Sequence, residues 1–214
     1  PLGYNFPKYD ERASRMKEAL SIIRRLLNGE KLDYEGEYYN TKGAKLYSPP
    51  LKEVPIWLAA GGPKSSHLAA EFADGLMISV KNPEDAYERV INPAQIKTDE
   101  LGKSQLRVHT YRWTMFAQND DDAWESLKSW RGLRAPNRLQ EIDPQALREQ
   151  ADALPKEEIM SKFSRAGTID ELVDIYSPLV DDFGSEIVTI QISSVDQEET
   201  IKLLGKELLP RLKK

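Results

Sequence analysis

Two glycines followed by Pro63, Lys64, Ser65 and Ser66 stand between an apolar run, residues 55–60, and a helical pattern that continues to Phe72. Glycine lets a backbone come close to a ligand, proline suits the first helical turn, and the unbonded amides of that turn favour an anion such as a phosphate. Gly61, Gly62, Lys64 and Ser65 are therefore candidate ligands for a phosphorylated cofactor, Lys64 adding charge and Ser65 a hydroxyl. The same residues serve equally well as an ordinary strand-to-helix corner, because an isolated glycine pair is a weak motif.

Further candidates lie elsewhere. Ser79 and Lys81 close a second apolar run, residues 75–80, and a lysine there can hold an anionic substrate group as a point charge. A lysine before a helix is more often simply solvated. Ala151-Asp152-Ala153-Leu154-Pro155 turns into a short helix, with Pro155 expected at its first position and Asp152 as its cap; Lys162 and Arg165 follow, facing water or a phosphate. His67 and His109 lack a Ser, Asp or Glu partner at motif spacing, which favours packing over proton transfer. The four tryptophans and four methionines read as core.

These residues need elements to hold them. Residues 9–27 place Ala13, Met16, Leu20, Ile23 and Leu27 at helical spacing, and Asn28-Gly29 ends the pattern. A polar, tyrosine-rich stretch follows. Strands are expected at 55–60, 75–80, 107–117 and 187–192, the third with two distinct faces. Helices are expected at 65–72, from 83 to 90 with another toward Leu101, from Thr168 with Glu171 in a capping box, and at 197–211. Alternating strands and helices predict an α/β fold with parallel pairing. The connection from 119 to 181 is long enough to read as an insertion, about 119–167, within one partial-barrel domain spanning 1–214. Four strands make half of a (β/α)8 barrel, which takes about 250 residues, or a small open sheet.

Composition narrows the chemistry. The 214 residues contain no cysteine and two histidines, which argues against thiolate metal sites, disulfides and a three-histidine metal site, so no metal ligand is expected. A net charge of −5 without a basic, aromatic-rich stripe argues against nucleic acid. No apolar run approaches the roughly 20 residues of a membrane span. Pro1-Leu2-Gly3-Tyr4-Asn5 lacks signal-peptide character, so a cytoplasmic location is expected; a start at proline, close to a helix, suggests a piece of something longer.

Tyr34-Glu35-Gly36-Glu37-Tyr38-Tyr39, the run from Pro55 through Gly61-Gly62-Pro63, and Ala73-Asp74-Gly75-Leu76 resemble the luciferase-like superfamily of flavin and deazaflavin enzymes. Ala151-Asp152-Ala153-Leu154-Pro155 and Leu208-Leu209-Pro210-Arg211-Leu212 are similar to the coenzyme F420-dependent glucose-6-phosphate dehydrogenase group within it. The resemblance implies the C-terminal half, about four βα units, of a luciferase-like TIM (β/α)8 barrel with a helical insertion between the last two strands. It implies coenzyme F420, with FMN as the alternative, and hydride transfer to or from an alcohol or sugar-phosphate type substrate. Gly61, Gly62, Lys64 and Ser65 match the family's phosphate cradle. Ser79 stands where the family has threonine, Lys81 matches a phosphate-binding lysine after a one-residue shift, and Ser161-Lys162 replaces two adjacent basic residues. Phe183-Gly184-Ser185-Glu186 offers no arginine to match a third phosphate ligand, which argues against glucose 6-phosphate itself. The family's catalytic residues fall in the half that is missing, so the chain alone is expected to be inactive. The intact enzyme is expected to take a small-molecule substrate and to form a homo-oligomer, a dimer. The rival readings are an FMN-dependent luciferase-like monooxygenase and a non-catalytic half-barrel module that associates through unpaired strand edges.

Overall fold

A computed structural model describes residues 6–212; the signal-peptide reading of residues 1–5 lies outside the described residues. The chain divides into two compact units, one running to Ile78 and including Glu84–Val108, the other made of Ser79–Pro83 and the chain from His109 onward.

In the first unit, helix α1 covers Tyr9–Leu27, with Asp10 and Glu11 in its first turn and Arg24 and Arg25 in its last, the order the helix dipole favours. Gly29, at φ 78°, ends it and donates to the Leu26 carbonyl. The tyrosine-rich stretch forms an antiparallel hairpin, β1 (Leu32–Glu35) and β2 (Asn40–Ala44), that the polar sequence did not announce. The Glu18 carboxylate accepts from the amides of Glu37, Tyr38 and Tyr39 and so ties the hairpin turn to α1. Strand β3 (Trp57–Ala59) pairs parallel with β4 (Gly75–Ser79), and α2 (Pro63–Phe72) connects them. Leu76 and Ile78 are buried, as are Leu68, Ala69 and Ala70 of α2. The two helices expected between 83 and 101 are one continuous helical run: α3 (Pro83–Ala86), a π-turn over Tyr87–Ile91, and α4 (Asn92–Glu100). Proline two residues after the wide turn explains the continuity, since the turn makes room for a residue that has no N–H and would otherwise clash with the preceding turn.

In the second unit, β5 (Arg107–Phe116) pairs parallel with both β6 (Ser164–Ala166) and β7 (Ile187–Ser193). The short β6 was not anticipated. Between β5 and β6 lie α5 (Asp120–Ser126), a 3-10 turn over Arg131–Arg134, α6 (Pro144–Asp152) and α7 (Lys156–Met160), packed on a core of Met115, Leu127, Ile159 and Phe163. Pro155 precedes α7 as its cap position instead of opening it, and Asp152 ends α6 with its carboxylate on Arg131, so it caps nothing. Helix α8 (Ile169–Asp181) does begin with the expected box: Thr168 Oγ1 accepts from the Glu171 amide, while the Glu171 carboxylate reaches back to the Gly167 amide. The chain closes with α9 (Gln197–Leu203), a second π-turn (Leu204–Leu208) and α10 (Leu209–Leu212), again with a proline just after the π-turn. The parallel α/β character expected from the sequence is thus present. Among the described residues, no helix is long and apolar enough to cross a membrane.

One face of β5 is bolted to α8. The wholly buried Tyr176 hydroxyl donates to the Arg112 carbonyl at 3.0 Å and lies 2.9 Å from Thr114 Oγ1; Arg112 in turn donates to Ser164 Oγ and the Ile175 carbonyl. Burial pushes the Tyr176 phenol up to about 12. A phenol ionises near 10 when unfolded, so its folded form is favoured fully below pH 10, and that contribution, about 2–3 kcal/mol, is lost as pH rises toward 12. Urea melts at pH 8–12 should show this loss. Tyr176→Phe should flatten the dependence while costing about 1–3 kcal/mol at pH 8 through the unpaired carbonyl.

Candidate functional site

The glycine corner sits at the carboxyl end of β3, anchored by the Ala60 amide, which donates to the Met77 carbonyl of β4 at 3.0 Å. Its geometry is set by a single oxygen. The Gly62 carbonyl accepts from Ser65 Oγ at 2.9 Å, from the Ser66 amide at 3.0 Å and from Ser66 Oγ at 3.0 Å. Ser65 Oγ also accepts from the Gly61 amide at 3.2 Å, so its proton and one lone pair are already committed within the loop. Ser65 is therefore a staple, and the sequence-level reading of it as a hydroxyl offered outward misses this.

Neither Gly61 nor Gly62 adopts the left-handed φ that favours glycine, Gly62 being fully extended, and a Cβ built on either meets nothing within 4 Å. No turn or packing contact demands glycine at these two positions. Gly75 differs: a Cβ there would lie 2.2 Å from the Trp57 ring, whose other neighbour is the Arg107 guanidinium, 4.9 Å from a ring centroid. Pro63 occupies the first position of α2, and the first turn carries no acidic residue. The Lys64 and Ser65 amides have no acceptor within the helix, whereas the Ser66 amide is used by the Gly62 carbonyl. Lys64 is well exposed, 3.7 Å from Asp10 and 5.5 Å from the Tyr9 ring. Open Cβ positions, first-turn amides and an exposed cation fit an anionic cofactor tail.

A cleft of about 700 Å³ lies in the same unit at the opposite end of the strands, lined by Arg24, Asp74, Lys103 and Arg107. Its charges are spent on structure: Asp74 accepts from Arg24 and the Ile56 amide, both at 2.7 Å, and Lys103 Nζ reaches the Ala70 carbonyl at the end of α2. His67, expected to be packed, is exposed on α2.

In the second unit, Ser79 and Lys81 are exposed at the carboxyl end of β4, and the Val80 amide between them donates to the Tyr111 carbonyl at 2.7 Å. Lys162 forms an i,i+4 ion pair with Glu158 at 3.1 Å, which compromises it as a free phosphate ligand. Arg165 is likewise engaged, by Asp120 and the Ala117 carbonyl. His109 Nε2 lies 2.8 Å from Thr189 Oγ1 and its ring stacks on Tyr111; burial lowers its pKa, so the imidazole is neutral near pH 7. Trp113, on the same face of β5, meets Trp130 and Phe163 edge-on, but the reading of all tryptophans and methionines as core fails for Trp130 and Met16, which are exposed.

Comparisons with known proteins show the family and the fold. The family model for luciferase-like monooxygenases matches residues 2–181. The F420-dependent glucose-6-phosphate dehydrogenase of Microbacterium testaceum is 33% identical, over all of this chain and 65% of its own length. An F420-dependent secondary alcohol dehydrogenase, solved with an F420–acetone adduct, superposes with a TM-score of 0.85 at 24% identity, covering 100% of this chain and 66% of that one. The coenzyme F420-dependent tetrahydromethanopterin reductase of Methanopyrus kandleri gives 0.71 at 22% identity, covering 94% and 64%. The chain thus spans about 65% of the length of the curated dehydrogenase it matches.

The two kinds of glycine should separate in a stability assay. Gly61→Ala should leave the free energy of unfolding within about 1 kcal/mol of the original. Gly75→Ala should lose about 1–3 kcal/mol by overpacking against Trp57, and much less in a Trp57→Leu background.

Proposed function

Because the chain belongs to the luciferase-like monooxygenase family, we propose that this protein works as a coenzyme F420-dependent oxidoreductase acting on an alcohol or sugar-phosphate type small molecule. The observation that carries the reading is the glycine corner: two glycines that no local packing requires, backed by a carbonyl fixed on three sides. Its F420-dependent relatives support the choice of deazaflavin over FMN.

When bound, the deazaflavin supplies the hydride-accepting carbon, and the protein contributes binding and orientation. In this reading Gly61 and Gly62 let the anionic tail approach the backbone, the first-turn amides of α2 donate to it, and Lys64 leaves Asp10 to neutralise it. Ser65 keeps the loop in shape. Ser79 and Lys81 are assigned to the substrate, Lys81 as a cation against an acidic group and Ser79 as a hydroxyl donor. Lys162 is assigned a lesser part, since contact with substrate requires it to leave Glu158. No catalytic residue is assigned within this chain.

Titration of the full-length protein with F420 and, separately, with FMN, followed by the chromophore's absorbance and fluorescence, tests the proposal. F420 should bind and FMN should not. Gly61→Val and Gly62→Val should weaken F420 binding tenfold or more with unchanged melting temperature, and Lys64→Gln should reduce both affinity and its salt dependence. Binding of FMN alone would turn the reading toward a monooxygenase. Binding of neither would support a non-catalytic module.

A further inference from the structure

The helical insertion of the second unit contains two arginines, three residues apart, whose surroundings are opposite in kind. Arg131 is forked onto the Asp152 carboxylate, with its Nη2 3.0 Å from Oδ2, and its guanidinium lies 4.4 Å above the Trp124 ring. Asp152 thus balances its charge, although Arg131 Nη1, like Arg134 Nε, is buried without an acceptor. Arg134 sits 4.7 Å above the Phe163 ring, and among the described residues no carboxylate lies within ion-pair distance of it. Its Nε is buried and has no acceptor. The neighbouring charge that influences it is another cation, Arg138, which together with burial holds its pKa below the ordinary arginine value.

A second buried donor belongs to a side chain that packs on the same ring. Trp113 packs edge-on against the same Phe163 ring, 5.5 Å between centroids, and its indole Nε1 is also buried without an acceptor. On β7, Ser193 is wholly buried and its Oγ likewise has no partner. Trp113 is in register with Gln191 and Met115 with Ser193, so Trp113 and Ser193 project from the same face of the β5–β7 pair, near its carboxyl end. The nearby α6 offers an amide oxygen, Gln150 Oε1, that lacks a donor, but a neutral acceptor cannot balance a guanidinium charge. Burying a cation against aromatic faces without a counter-charge is costly, and unpaired buried donors add to that cost. An incoming anion would remove both.

We propose that Arg134 and the indole N–H of Trp113, which share the Phe163 ring as a neighbour, form a subsite for an anionic oxygen group, a carboxylate or a phosphate, carried by the substrate, with the Ser193 hydroxyl on the same strand face as Trp113. Arginine presents a planar fork that matches such groups, and the Phe163 and Trp130 rings bound the corner with apolar surface. The proposal rests on the oxidoreductase reading only in calling that anion part of a substrate. It adds Arg134 to Lys81 in recognition of the substrate's acidic groups, and Lys162, whose charge Glu158 already matches, keeps its lesser part.

The test uses the full-length protein without cofactor, titrated with sodium phosphate and with sodium acetate at constant ionic strength set by sodium chloride. Intrinsic tryptophan fluorescence is the readout, since Trp113 and Trp130 adjoin the corner. At least one anion should produce a saturable change. Arg134→Gln should weaken it tenfold or more with an unchanged circular dichroism spectrum, Arg134→Lys should retain part of it, and Lys202→Gln, on exposed α9, should leave it intact. A response to phosphate alone identifies a phosphorylated substrate, and a response to acetate alone a carboxylate. No saturable change with either anion, or equal changes in the original protein and both Arg134 variants, would overturn the subsite. Because F420 binding is measured separately, a protein that binds the anion but no deazaflavin would lose the enzymatic reading and keep this one.

Discussion

The carbonyl of Gly62 organises the corner that the functional reading depends on. Three donors from the first turn of α2 converge on it, so the peptide plane cannot rotate without breaking them together. The two glycine α-carbons are then held open toward the outside, where a side chain would meet nothing. Rigidity and vacancy at the same place are what an anion cradle requires, because a loop that must reorganise on binding gives up part of its affinity. The serines achieve this by turning inward, which explains how two hydroxyls can matter at a site they need not touch.

The second unit divides its polar groups by strand face. One face of β5 spends Thr110, Arg112 and Thr114 on fixed partners: Ser185, Ser164 and Tyr176. The other presents His109 paired to Thr189, then Tyr111, then a tryptophan whose N–H has no acceptor. The satisfied face belongs to packing against α8. The face with unmet donors, near the carboxyl end of the parallel pair, is where ligands of α/β folds are found.

Much of this was legible in the residue order. The α1 helix, with bounds at Tyr9 and Leu27, follows from its apolar spacing and the Asn28-Gly29 stop, and the four principal strands follow from short apolar runs. The β1–β2 hairpin was not, because its strands are held by Glu18 on α1 and contain Leu32 as their one wholly buried large apolar side chain; no alternation marks them. The break expected after Val90 became a continuous helix because a π-turn absorbed Pro93, a backbone adjustment that composition does not encode. Asp152 illustrates a different failure: its local offer to cap a helix lost to a long-range arginine.

Local periodicity, punctuation by glycine and proline, and the resemblance carried by short motifs determined the α/β class, the position of the glycine corner and the family, since each depends on residues within a few positions of one another. Which polar groups are spent and which remain was decided only in three dimensions. Ser65 is consumed, Lys162 is paired, Arg131 is neutralised, and Arg134, three residues further on, is not. Hydrogen bonds and charges are satisfied through space, by partners such as Asp152 that sequence distance hides, so the free valences of a site can be counted only after folding.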